Sequence, residues 1–239
     1  MQLQRVQPDV LMVRDTEVSP SWQRWYLLKA DTHWDSPECD RQLLERLHKQ
    51  ARERNATIFE IGDLFDLMGG KYDPRMDKSG VRPEHQTDDY LGAVEDTAVA
   101  YYEPWADLYG QISDGNHNTS VLHRQEYDIL GRFCKRLGIE RGPYAGWIVV
   151  RFQHASGSHR TTRRLYYHHG WGGGGIVTRG TLNPSRVATY IPDADIVVYG
   201  HIHEQWLFPI ERQRISDSGK TYFDKQIHIQ IPALKQEFT

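Results

Sequence analysis

An α/β fold of two packed β-sheets flanked by helices is what this 239-residue sequence predicts. Three observations carry the prediction. Strand-like apolar runs alternate with helical periodicity in the first half, β-rich runs separated by turn formers fill the second, and 38% hydrophobic content is enough to bury one organising core. Alternating units followed by a β-rich half favour two sheets over one doubly wound sheet. The whole chain, residues 1–239, reads as a single domain.

Residues 25–30 are a short apolar run ending at Asp31, as expected of a buried strand that delivers a ligand from its C-terminal end. Ser36-Pro37 reads as a helix start. From residue 40 to 54, Leu43, Leu44, Leu47 and Ala51 share one helical face, with Arg, Glu and Lys on the other. Residues 57–61 form the next strand, so 25–62 resembles a βαβ unit with a ligand loop after each strand. Between 69 and 108 a Gly-, Pro- and charge-rich loop leads into a helix marked by Leu91, Val94, Ala98, Tyr101 and Trp105. This is an insertion of two readings: a cap beside an active site, or a helix covering the sheet. A further amphipathic helix is expected from about 123 to 137, with Leu130, Phe133, Cys134 and Leu137 on one face and Gly138 as its stop. Residues 147–153, 165–168, 196–199 and 227–231 are β-rich runs.

A net charge of −3 gives no global pull toward nucleic acid or an anionic membrane, so local features must hold any phosphate-bearing partner. Cys39 and Cys134 lack the spacing of a thiolate zinc site or a disulfide framework and read as packed thiols. Residues 1–15 contain no signal core, and no apolar run has the length of a membrane span. A cytoplasmic protein without a membrane partner is expected.

The chemistry is carried by five short blocks: Asp31-Thr32-His33, Gly62-Asp63, Gly115-Asn116-His117, His169-Gly170 and Gly200-His201-Ile202-His203. Most follow a strand-like run. Together they supply Asp31, His33, Asp63, Asn116, His169, His201 and His203 as seven candidate ligands for two metal ions. Carboxylate, amide oxygen and imidazole suit manganese, iron or zinc, and a carboxylate with two oxygens can bridge a metal pair. Singly each block is weak, since Asp31 also suits a helix cap and His33 an ordinary loop. The conjunction points to a dinuclear metallohydrolase.

These blocks, in this order, resemble the signature of the calcineurin-like metallophosphoesterase family, and the match runs from Asp31 to His203. The resemblance implies a four-layer α-β-β-α sandwich, with two packed, mainly mixed sheets flanked by helices and a helical insertion. It implies that Asp31, His33 and His203 hold one divalent ion, that Asn116, His169 and His201 hold the other, and that Asp63 bridges both. Manganese is the first choice, with iron or zinc also suited. His117 would be the catalytic group, donating a proton or hydrogen bond near neutral pH while an acidified water attacks phosphorus. The substrate class is a phosphomonoester or phosphodiester. A nuclease acting on DNA or RNA with the same site is the alternative, and a metal-binding scaffold with vestigial activity is the third reading.

His168 and His169 would face opposite sides of a strand, and His169 is preferred as the ligand because it precedes Gly170. Asn118 departs from the family's usual Asp or Glu, which bears on how His117 is oriented. Asp66 completes the longer Gly-Asp-x-x-Asp form, as a residue orienting a ligand or as a turn cap. Four glycines, 172–175, leave room for close approach to the metals, or form a flexible loop. Arg160, Arg163 and Arg164 read as a solvated face at a β connection, and Arg179 and Arg186, closer to the glycine run, are better candidates for substrate contact.

Overall fold

The computed structural model describes residues 1–19, 21–67, 81–155, 157, 160–172, 180 and 182–236. In chain order these contain β1 (Gln2–Gln7), β2 (Val10–Val18), β3 (Tyr26–Lys29), α1 (Arg41–Glu53), β4 (Thr57–Glu60), α2 (Tyr90–Tyr102), β5 (Tyr109–Ser113), α3 (Asn116–Gln125) and α4 (Ile129–Leu137). There follow β6 (Arg141–Gly142), β7 (Ala145–His154), β8 (Arg160–His168), α5 (Leu182–Tyr190), β9 (Ile196–Tyr199), β10 (Trp206–Ile215) and β11 (Thr221–Gln230). This is an α/β protein with two sheets, and the chain divides into two units: Gln23–Tyr144 with Pro232–Thr239, and Met1–Trp22 with Ala145–Ile231. Residues 69–80 of the expected insertion, Gly173 to Gly175 of the glycine run, and Arg179 lie outside the described residues.

In the first of these units β3, β4, β5 and β6 lie side by side in that order, every pair parallel. The register sets Lys29 opposite Glu60, Glu60 opposite Ile112 and Ser113 opposite Gly142. Parallel pairing therefore brings the C-terminal ends of successive strands to one edge of the sheet, where the loops carrying Asp31, Asp63 and Asn116 begin. The helix start expected at Ser36-Pro37 is a turn instead, with the Ser36 N–H donating to the His33 carbonyl at 2.9 Å. α1 begins only after Asp40, whose carboxylate accepts the Leu43 N–H at 2.8 Å. Leu44 and Ala51 are buried on its inner face, and so is His48, bonded to the Tyr109 hydroxyl at 2.7 Å. Burial lowers His48 to about 3, with Lys29 adding to the effect, so it packs as a neutral ring.

Val94, Ala98 and Tyr102 of α2 have no exposed surface and share the core of β4 and β5. Its inner face covers the sheet, while Tyr90 at its start reaches Asp35 in the loop after β3. Buried Glu95 ties α2 to α4 by accepting from Arg132 Nε at 2.7 Å and Arg136 Nη1 at 3.0 Å. The single helix expected over 123–137 is two. Glu126 takes a left-handed turn (φ 54°), and the Asp128 carboxylate restarts the helix by accepting the Gly131 N–H at 3.1 Å. Gly138 does stop α4, at φ 67°. Phe133 stacks edge-on against Phe65 (5.6 Å) and Tyr102 (5.4 Å), and truncating such a ring costs about 3–5 kcal/mol.

The second unit is a seven-stranded mixed sheet in the order β1-β2-β7-β8-β9-β11-β10. Leu11, Ile148 and Leu165 are register partners on neighbouring strands and are all buried. α5 adds Val187 to Ala194, Val197 and Tyr199. The β1–β2 hairpin and β10 have no clear sequence signal: β1 is mostly exposed, and β10 mixes Pro209, Glu211, Arg212 and Arg214 with its apolar residues. Arg160, Arg163 and Arg164 belong to β8 itself rather than to a connection, and all three are exposed, as is Arg186 on α5. Among the described residues no helix is long and apolar enough to cross a membrane. Cys39 and Cys134 are buried and unbridged, and burial pushes their thiols up to about 11 and about 12.

Candidate metal centre

The loops after β3 and β4 continue the pairing of their strands. Asp31 N–H donates to the Gly62 carbonyl (3.2 Å), His33 N–H to Asp63 (3.1 Å) and Trp34 N–H to Leu64 (2.8 Å). The backbone turns as it does so: Asp31, His33 and Asp63 sit at φ 52°, 49° and 46°, in the left-handed region that non-glycine residues rarely occupy. His33 and Asp63 are almost wholly buried, and Asp31 is completely so. His33, Asp63 and His117 each place a ligand atom within 4.8 Å of the others.

Asp66 lies against both imidazoles. His33 Nδ1 lies 2.8 Å from Asp66 Oδ1. A carboxylate can only accept there, which sets Nδ1 against Asp66 and leaves Nε2 as the ring nitrogen a metal would take. Burial alone would raise the Asp66 carboxyl, but the hydrogen bond and charge of His33, with Lys235 and His117, hold it at about 2. The same carboxylate oxygen also lies 3.4 Å from Lys235 Nζ, so the Asp66 side chain is turned to His33 and Lys235. His117 Nδ1 meets the Asp66 carbonyl, which also only accepts, and Nε2 points toward Asp63 Oδ2 at 3.7 Å.

The third loop brings a helix start to Asp63. The His117 N–H donates to Asp63 Oδ1 at 3.0 Å, so the carboxylate sits at the positive end of α3, while Asn116 opens the same helix half-buried. Gly115 is required here. A Cβ on it would come 2.1 Å from Asp63 Oδ1 and 2.3 Å from the Asp63 nitrogen. Asn118 braces the same turn, since its Oδ1 accepts the Gly115 N–H and its Nδ2 donates to Asp114 Oδ1, both at 2.8 Å.

In the seven-stranded unit, β8 and β9 are parallel with His168 opposite Tyr199, so His169 and His201 both follow aligned strand ends. The Gly200 N–H donates to the His169 carbonyl at 2.9 Å, and the two imidazole rings lie 5.4 Å apart. His201 and His203 again have left-handed backbone, at φ 74° and 56°. Gly170, at φ 122°, lets this approach occur, because a Cβ there would meet the His201 Cβ at 2.7 Å. His168 turns away from this pair: its Nδ1 accepts the Gly170 N–H at 2.9 Å and its ring stands against Trp171. Burial, with His169 and His201 nearby, lowers His168 to about 4.

A scan of protein-family models and a search of curated proteins find no match to this chain.

Several residues around the centre lack a motif and were missed in the sequence. Asp35 accepts the N–H groups of Asp66 (2.7 Å) and Leu67 (2.9 Å) and the Tyr90 hydroxyl (2.7 Å), fixing the Asp63–Asp66 turn. Tyr144 is half-buried, and its phenol is pushed up by burial first and then by the charges of Asp63 and Asp31. Lys29 and Glu60 are buried charges at the ends of otherwise apolar strands, and that contrast was the available signal.

Proposed function

We propose that this chain is a phosphoesterase that hydrolyses a phosphomonoester or phosphodiester with two divalent metal ions, manganese first among them. The observation that carries the reading is the backbone of the candidate ligands. Of eight non-glycine residues at positive φ among the described residues, five are Asp31, His33, Asp63, His201 and His203. Each such conformation costs of order 1–3 kcal/mol, and such cost clusters at binding and catalytic sites. The donor set fits divalent cations as well, since His33 offers Nε2 while a well-ionised Asp66 holds its Nδ1.

In this reading Asp31, His33 and His203 hold one ion, Asn116, His169 and His201 hold the other, and Asp63 spans both. The four-layer α-β-β-α sandwich that the resemblance implies belongs to the same reading. When bound, the ions supply Lewis acidity toward phosphate oxygens and acidify the attacking water. His117 is held by the Asp66 carbonyl so that Nε2 faces inward, where its protonated form donates to the departing oxygen. Asp66 orients His33, and the α3 start fixes Asp63.

Metal analysis after dialysis against Mn²⁺ should return two ions per chain, and Asp63→Ala should lose the pair. A manganese-supplemented panel of nitrophenyl phosphomonoester, nitrophenyl phosphodiester, cyclic nucleotides and single- and double-stranded DNA reads the substrate. Cleavage confined to DNA would move the conclusion to a nuclease, and bound metal without turnover on any member would move it to a scaffold.

A further inference from the structure

We propose that Thr32, gripped by the buried Lys29–Glu60 pair, is a positioning residue that fixes Asp31 and His33 for their cation. The inference rests on the metal reading of those two residues. Thr32 stands between them and has no exposed surface. Its hydroxyl accepts from Lys29 Nζ at 2.9 Å and donates to Glu60 Oε1. Lys29 Nζ pairs in turn with Glu60 Oε2, and it lies 5.6 Å from the ring centroids of both Tyr102 and Tyr109. The hydroxyl therefore has a donor and an acceptor, each held from a second side.

The placement of this triad gives it a function beyond packing. Lys29 and Glu60 are register partners at the last positions of β3 and β4, the strands that run into the Asp31 and Asp63 loops. Taking two charges out of water is costly, and apolar side chains in such places commonly do as well or better for stability. What apolar side chains cannot do is hold a hydroxyl in one rotamer. With Thr32 fixed, the residues on either side are kept at φ 52° and 49°, from which a released loop would relax toward ordinary backbone. The same pair roots the Asp31 loop to the strand that leads to Asp63.

The test uses the metal-free full chain, titrated with Co²⁺ and followed by its visible absorption, with urea unfolding measured separately before metal is added. Thr32→Val keeps the shape and removes the hydroxyl, and Lys29→Met/Glu60→Leu removes the charges that hold it. Both should bind Co²⁺ at least about tenfold more weakly, the scale on which residues supporting a ligand act. Thr32→Val leaves Lys29 and Glu60 each one partner short and should lower the urea midpoint modestly, with binding weakened beyond that loss, and Thr32→Ser should restore binding. Parent-like Co²⁺ binding by Thr32→Val, or weaker binding fully accounted for by lost stability, overturns the positioning role. Failure of the parent itself to bind Co²⁺ is a separate result that removes the metal reading and this inference with it.

Discussion

Replacing Asp66 by Asn tests the link between fold and site most directly, because one carboxylate serves both. Asp66 is buried, lies 2.8 Å from His33 Nδ1 and is held at about 2 against an ordinary 3.8. A carboxyl whose folded value is depressed stabilises the protein above its unfolded value, and that contribution disappears as pH falls through the folded one. For Asp66 this amounts to about 2 kcal/mol at pH 7, falling to about 1 kcal/mol near pH 3 and vanishing below about 2. Asn keeps an oxygen to accept from His33 but loses the charge. Metal-free Asp66→Asn should therefore unfold at lower urea than the parent at pH 7, with the gap narrowing as the solution is acidified. Metal affinity should fall roughly 10- to 100-fold, the range for residues that orient metal-binding histidines. Tryptophan fluorescence during urea titration at pH 7, 5 and 3 reads the first effect, and calorimetric Mn²⁺ titration reads the second. Equal midpoints at pH 7, or a gap that does not change with pH, would refute the assigned ion pair.

Other substitutions separate the candidate ligands from their supports. His117→Ala should retain bound metal while turnover drops roughly 100- to 10,000-fold, the usual contribution of a proton-transfer group; unchanged turnover would remove His117 from the chemistry. Gly115→Ala drives a methyl into the Asp63 backbone and carboxylate. It should cost about 1–3 kcal/mol and abolish two-ion binding, as checked by unfolding and metal analysis. Asn118→Asp keeps an oxygen to accept from Gly115 but loses the donor to Asp114. A urea midpoint lower by the equivalent of about 1–3 kcal/mol is expected, and a more stable variant would contradict the contact.

The sequence by itself determined the order of strands and candidate-ligand loops in the Gln23–Tyr144 unit, because each apolar run is short, ends at a chemically distinctive residue and is separated by an amphipathic helix. Local pattern was enough for β3, α1, β4 and the Gly138 stop. It was not enough for β1, β2 and β10, whose exposed or charged positions dilute the strand signal, nor for the break at Glu126, which depends on Asp128 capping a new helix. Tertiary structure alone decided which residues support the site. Lys29 meets Glu60, Asp35 reaches Asp66 and Leu67, and Gly115 lies against Asp63 only once parallel strands set their loops side by side. Left-handed backbone at the candidate ligands belongs to the same class of information. No residue type at those positions announces it, because it is imposed by the hydrogen bonds between neighbouring loops.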